Sequence, residues 1–177
     1  MIAGVVLAVI ALALAALLIF AASRPSIFRV ARSARILASA EKILPLINDI
    51  HRFNTWNPYN HKDPTMKATY RGPNAGPGAA FDFEGSKNVG KGSIEIIQPS
   101  GPNRVTMTLD MTAPMACHNI IDFVIEPEGN ATVVTWAMHG PNPFIGKLMS
   151  VVFNMDRMVG RDFDAGLASL KTLAEHP

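Results

Sequence analysis

The chain has 177 residues, 49% of them apolar and only 17% charged, with 16 basic against 14 acidic side chains for a net charge of +2. That composition excludes an intrinsically disordered chain, and the charge balance is too even for a dedicated nucleic-acid binder. The single cysteine, Cys117, excludes an intrachain disulfide and a cysteine-rich zinc site.

Apolar residues concentrate at the start. From Ile2 to Ala22 only Gly4 interrupts a run of Ile, Val, Leu, Ala and Phe, and no charge appears before Arg24. As a helix this run is roughly 30 Å long, the thickness of a bilayer's hydrocarbon core. Three readings compete. A buried core helix rarely runs so long without a polar residue. A cleaved signal peptide wants a basic stretch ahead of the apolar one, where only Met1 and Ile2 stand, and Ala21-Ala22-Ser23 is a weak cleavage site. A retained single-span anchor over residues 1–23 is the preferred reading, with residues 24–177 as one domain. Arg24, Arg29, Arg32 and Arg35 follow the run with no acid until Glu41. The positive-inside rule then places the domain in the cytoplasm. These arginines either meet anionic headgroups or stand on the solvent face of a strand, and both readings stay open.

Residues 27–38 read as a first strand, with Phe28, Val30, Ala34 and Ile36 on one face and Arg29, Ser33 and Arg35 on the other. Ser39 is a candidate N-cap for a short helix with Ile43, Leu44 and Ile47 on its apolar side, and Pro45 in its first turn. A second short helix covers residues 49–53. Trp56-Asn57-Pro58-Tyr59 and Asp63-Pro64 read as turns. Six strands follow, at residues 67–71, 79–84, 90–98, 104–111, 118–126 and 131–139, separated by turn residues, including a turn over residues 99–103. Such spacing indicates an antiparallel sheet of hairpins. From Phe144 to Glu175 the period changes to three and four: Leu148, Val152, Met155, Val159, Phe163, Leu167 and Leu170 recur on one side of a long helix. Gly146, Gly160 and Gly166 either bend it or let it pack closely on the sheet. The whole predicts an α+β fold, with a curved antiparallel sheet of about seven strands around a long C-terminal helix.

Polar chemistry is sparse. No spacing among His51, His61, His118, His139 and His176 matches a metal motif, and no metal or cofactor is expected. His118 and Asp122 share a strand face and could form an acid–base pair. Their neighbours Ile121, Phe123 and Ile125 form the more apolar face, so both point to solvent. Glu95 and Asp110 read the same way. No catalytic residue is assigned. Cys117 reads as an inert thiol, Ser93 lacks a nucleophile-elbow context, and residues 72–78 form a turn rather than a phosphate loop.

The apolar inward rows are the better functional candidates. Met107, Leu109, Phe123, Trp136 and Met138 come from the sheet, and Met155, Val159 and Phe163 from the helix. Methionines suit an adaptable binding surface. The alternative for each of these residues is plain core packing. Trp56 and Tyr59 either border a pocket mouth or fix the turn between helix and strand.

The order of elements and an ordered set of short motifs resemble the START-like (SRPBCC) superfamily, within it the polyketide cyclase/dehydrase and lipid-transport group. The motifs are Phe28-Arg29-Val30 with Arg32-Ser33, Ile47-Asn48-Asp49, Trp56-Asn57-Pro58-Tyr59, Asp63-Pro64-Thr65-Met66 and Tyr70-Arg71-Gly72. Glu84-Gly85, residues 90–96, Val134-Thr135-Trp136-Ala137-Met138 and Phe163-Asp164-Ala165-Gly166-Leu167 complete the set, covering nearly all of the chain after the anchor. Phe83 departs from the pattern, since relatives often carry Trp there. The resemblance implies a helix-grip fold with a cavity for a hydrophobic ligand such as a lipid, sterol or polyketide, and no single activity. Three functions follow as expectations. The first is a membrane-anchored binding protein whose partners are a hydrophobic small molecule and the membrane, with no nucleic acid. The second is a cyclase- or hydrolase-type enzyme in the same cavity. The third is a membrane-tethered interaction domain with a filled core.

Overall fold

The computed structural model describes residues 2–98, 103–152 and 154–176, with Gln98 and Val152 described in backbone only. The expected turn at 99–103 therefore lies outside the described residues except for Asn103. In chain order the elements are α1 (Ile2–Ser23), β1 (Ile27–Ile36), α2 (Ala40–Asn48), α3 (Ile50–Trp56), α4 (Pro58–Lys62), β2 (Lys67–Arg71) and β3 (Ala80–Glu84). Then follow β4 (Lys91–Gln98), β5 (Arg104–Ala113), β6 (Cys117–Glu128), β7 (Ala131–Pro141), α5 (Phe144–Val152) and α6 (Met155–Glu175).

The seven strands form one antiparallel sheet in the order β1-β7-β6-β5-β4-β3-β2. Consecutive hairpins build most of it, and β1 joins the last strand, Ile27 facing Pro141 and Ile36 facing Thr132. Helix α6 packs against β1 and β7 and against α2, α3 and α4. This is the helix-grip arrangement expected. Its core is continuous: Ile36, Ile43, Ile47, Ile50, Phe53, Trp56, Phe123 and Leu170 are fully buried. Burying each large side chain contributes on the order of 1.5–3 kcal/mol. Trp56 stands edge-on to Phe53 at 5.0 Å and to Trp136 at 5.6 Å, and its indole N–H donates to the carbonyl of Leu46 at 2.8 Å.

Three local expectations differ. First, the Trp56–Tyr59 segment is not a simple turn. Helix α3 runs through Trp56, and Asn57 then caps α4, its side-chain oxygen accepting from the Tyr59 N–H at 3.2 Å. Pro58 takes the first helical position, where a missing N–H costs nothing. Second, the short helix expected over residues 49–53 is α3, which runs on to Trp56, with Asp49 as its N-cap, accepting from the N–H groups of His51 and Arg52 at 2.9 and 3.1 Å. Ser39 holds the N-cap position of α2 but makes no side-chain capping bond. Third, the long C-terminal helix is two helices. The break falls at none of the three glycines. It comes where Asn154 caps α6 by accepting from the Arg157 N–H at 2.9 Å.

Helix α1 projects from the domain with Ala21 its one buried residue among those described. By length and composition it can cross a membrane: residues Ile2–Ala22 contain a window of mean hydropathy 3.1, 6% buried. A buried core helix, one of the three sequence readings, is not what the structure contains.

Candidate functional site

A cavity of about 330 Å³ lies between the sheet and α6. Its sheet wall comes from Phe81 and Phe83 (β3), Ile94 (β4), Leu109 and Met111 (β5), Ile121 (β6), and Trp136 and Met138 (β7). Met155, Met158, Val159 and Phe163 of α6 cover it, and Phe53, Asn57, Tyr59, Met66, Val89 and Pro114 close its sides. The alternation of each strand produces this wall, since residues two apart face the same side. The deep end is aromatic. Trp136 stacks on Phe163 with ring centres 4.2 Å apart and an interplanar angle of 10°. Met155, Met158 and Pro114 are exposed and mark the mouth.

Of the residues named from sequence, Tyr59, Leu109, Trp136, Met138, Met155, Val159 and Phe163 line this space. Trp56, Met107 and Phe123 do not. They are buried in the solid core, Trp56 and Phe123 with ring centres 5.8 Å apart. The reading missed Phe81, Phe83 and Ile94, although it placed their strands. It also missed Phe53, Met66, Met111, Ile121 and Met158. Phe81, Phe83, Ile94, Met111 and Ile121 carried a usable signal, each standing in the inward row of its strand.

Polar groups in the wall are few. Asn57 is buried, its amide donating to Asn54 Oδ1 at 3.3 Å while its oxygen caps α4. Tyr59 stands beside Asp162. Burial, reinforced by that carboxylate, pushes its hydroxyl pKa well above the ordinary tyrosine value. The neutral phenol is therefore the form present at physiological pH. Lys62 Nζ donates to Asp162 Oδ2 at 2.6 Å and lies 5.0 Å from the Tyr59 ring centre. The Trp136 indole N–H is buried without a hydrogen-bond partner.

The acid–base pair imagined from sequence does not form. His118 Nδ1 bonds Asp110 Oδ1 at 2.6 Å, while Asp122 accepts from Thr106 Oγ1 at 2.8 Å and pairs with Arg104 and His139. His118 and Asp122 are on the outer face of the sheet, as their strand pattern indicated, and neither lines the cavity. Among the described residues no cluster of three His, Cys, Asp or Glu side chains could hold a metal.

Three of the four arginines after α1 have different neighbours. Arg32 points inward and grips α6: Nη1 and Nη2 donate to the two oxygens of Asp156 at 3.1 and 3.0 Å. Arg35 pairs with Glu128 at 2.7 Å. Arg24 lies over the Phe20 ring at 4.9 Å, at the end of the apolar helix.

Known folds place the arrangement in context. Ginseng major latex-like protein 151 from Panax ginseng superposes with a TM-score of 0.59 at 9% identity, over 86% of this chain and 100% of that one. The Aha1 dimer from Colwellia psychrerythraea gives 0.56 at 19% identity, over 84% and 97%. A protein of Chromobacterium violaceum gives 0.59 at 13% identity, over 87% and 100%. At such identities the likeness is one of fold. No curated protein matches the chain in sequence. The sequence itself carries the assignment further, because a family model matches residues 28–175, all of α6 and all of the sheet but Ile27. With a seven-stranded sheet gripping α6 around an apolar cavity, the chain belongs to the polyketide cyclase / dehydrase and lipid transport family.

Proposed function

We propose that this protein is a membrane-anchored carrier that takes one hydrophobic small molecule into the cavity between sheet and α6. The observation that carries the reading is the wall itself: among the described residues, the eighteen that line it include Asn57 and Tyr59 as the polar ones and no acid, lysine, arginine or histidine. Such a wall favours an apolar guest and offers no charged group to bind or turn over a polar one. A volume of about 330 Å³ suits one chain or a small ring system rather than both chains of a phospholipid. The guest is a lipid, sterol or polyketide fragment of that size. Its fixed end meets Trp136 and Phe163. Helix α1, apolar on all sides and almost wholly exposed, supports retention in a membrane, because that surface has no stable place in water. The arginines that follow it favour a cytoplasmic domain.

Native mass spectrometry of the full chain released from detergent micelles tests the reading. A reproducible added mass, extracted and identified as a lipid-like molecule, is expected. A protein that is empty and binds no hydrophobic probe overturns it.

A second reading has one observation in its favour. The Tyr59 hydroxyl beside Asp162 keeps its proton and stands at the cavity wall, where it could donate a hydrogen bond to a developing oxyanion in a cyclase-type reaction. In that case Tyr59→Phe abolishes turnover of the extracted molecule while leaving its binding intact. The third expectation, a tethered domain with a filled core, loses its premise to the cavity.

A further inference from the structure

The strand register collects several features at one end of the domain. Ile27, at the start of β1, faces Pro141 at the end of β7, and Ile120 near the start of β6 faces His139. The β5–β6 connection, with Pro114 and Met115, is therefore on the same edge as the exit of α1 and the start of α5. The cavity mouth is there too, since Pro114, Met155 and Met158 border it.

That end is apolar where it should be polar. Met115 is 55% exposed, Phe144 49%, Ile145 50%, Met149 44%, Met155 40% and Met158 54%. Six large apolar side chains collected at one end of the domain form a patch that water does not stabilise. Helix α5, which carries three of them, packs directly against α1. The contact is tied down at its root. Asn142 donates through its backbone N–H to the Ser26 carbonyl at 2.8 Å and through its side chain to the Pro25 carbonyl at 3.0 Å. Lys147 of α5 reaches Ser26 Oγ at 3.3 Å. A helix able to span a bilayer thus holds the patch within a few residues of its own end.

We infer that this end of the domain docks onto the bilayer that α1 spans, with α5 lying in the interface and the cavity mouth opening onto the lipid. The inference rests on the retained anchor under the proposed function. The occupant of the patch is the lipid surface rather than another protein, because the patch is fixed to α1 itself. Arg24, Lys147 and Arg157 on or beside these elements suit anionic headgroups. A guest then passes between bilayer and cavity without crossing water.

The test uses the full chain with Cys117→Ser, reconstituted in phosphatidylcholine–phosphatidylglycerol vesicles. Single cysteines replace Leu12, Met149, Met158 or Glu126, each carrying an environment-sensitive fluorophore, and the lipids carry quenchers on their tails. Labels at Leu12, Met149 and Met158 are expected to lose most of their emission to the quencher. The label at Glu126, at the far end of β6, is expected to keep its emission and respond only to aqueous iodide. If Leu12 is quenched while Met149 and Met158 behave like Glu126, the docking is wrong and the anchor stands. If Leu12 is not quenched either, the anchor reading fails and the docking falls with it.

Discussion

The guanidinium of Arg32 on β1 lies directly across Gly160 of α6, so that a Cβ at residue 160 would overlap its Nη2 and Cζ atoms. Glycine here is not a weak point in a helix. It is the gap through which Arg32 reaches both oxygens and the carbonyl of Asp156, with Asp164 3.5 Å from its Nε. The pairing holds the Asp156 carboxyl below the usual carboxylate range. Gly160→Ala is therefore expected to lower the melting temperature of the wild-type chain by forcing Arg32 out. In an Arg32→Ala background the same change should raise it, because alanine is the better helix former by about 1 kcal/mol. A thermal melt of the four proteins reads the sign change. Equal effects in both backgrounds would show that Arg32 does not occupy the gap.

Gly166, two turns further along α6, makes room for something less yielding. A Cβ there would meet Trp136 Cζ3 at 2.6 Å and the Pro58 ring at 3.0 Å. Both neighbours are rings held from other sides, so neither can swing away as an arginine can. Overpacking of this kind costs about 1–3 kcal/mol, which outweighs the helix-propensity gain of about 1 kcal/mol. Gly166→Ala is expected to lower the melting temperature by a few degrees. It should also weaken probe binding, because Trp136 is the cavity's end wall. A melt combined with a fluorescent-probe titration checks both, and a variant with unchanged binding would mean that Trp136 does not shape the site.

The alternation that made the strands readable gives the face of each residue but not its depth along the groove. In β5, Val105, Met107, Leu109 and Met111 share one face, yet Val105 and Met107 pack solid core while Leu109 and Met111 border the void. Phe123 and Ile121 divide in the same way on β6. Where α6 leaves space depends on the tilt of a helix across a curved sheet, and no local pattern encodes it. Arg32 was legible in principle, as a cation standing in the apolar row of β1 with Val30 and Ala34. Its partner was not, because Asp156 is 124 residues away. The division of the last helix also had a mark, Asn154, which periodicity alone passes over.

Asp63 links the loop after α4 to the β3–β4 turn. Its Oδ1 accepts from the Thr65 hydroxyl at 2.7 Å and the Thr65 N–H at 3.0 Å, and its Oδ2 from the Ser86 N–H. Hydrogen bonds from Thr65, then Ser86, hold its pKa down at about 2, against about 3.9 in an unfolded chain. The folded state thus binds fewer protons across that window. Its contribution is complete above about pH 4 and is lost as the pH falls toward 2. Asp63→Asn is expected to be less stable at neutral pH and to lose less stability between pH 5 and pH 2. Denaturant melts across that range give the slope, and an unchanged slope would remove Asp63 from the account. Val89, in the same turn, lines the cavity, so the variant should also bind probe more weakly.

Phe83 stands just before the Glu84-Gly85 pair on the cavity wall, and the space in front of its ring makes its size matter. Its ring lines the space and packs over Gly92 on the neighbouring strand, where a Cβ would stand 3.0 Å from Phe83 Cζ. The glycine lets the ring lie flat against the sheet and leaves the volume in front of it open. A tryptophan in the same register keeps that contact and extends its second ring into the cavity. Phe83→Trp is expected to fold with a melting temperature close to that of the wild type, because the added ring enters empty space and gains contacts. Space for a guest shrinks at the same time, and the amount of co-purified ligand and the affinity for a hydrophobic probe should both fall. Native mass spectrometry beside a probe titration measures these quantities. Unchanged loading would place the guest elsewhere. Loss of the fold would instead mean that Phe83 sits too tightly against Gly92 for any larger ring, and Leu109→Phe, on the wall contributed by β5, then provides the same test.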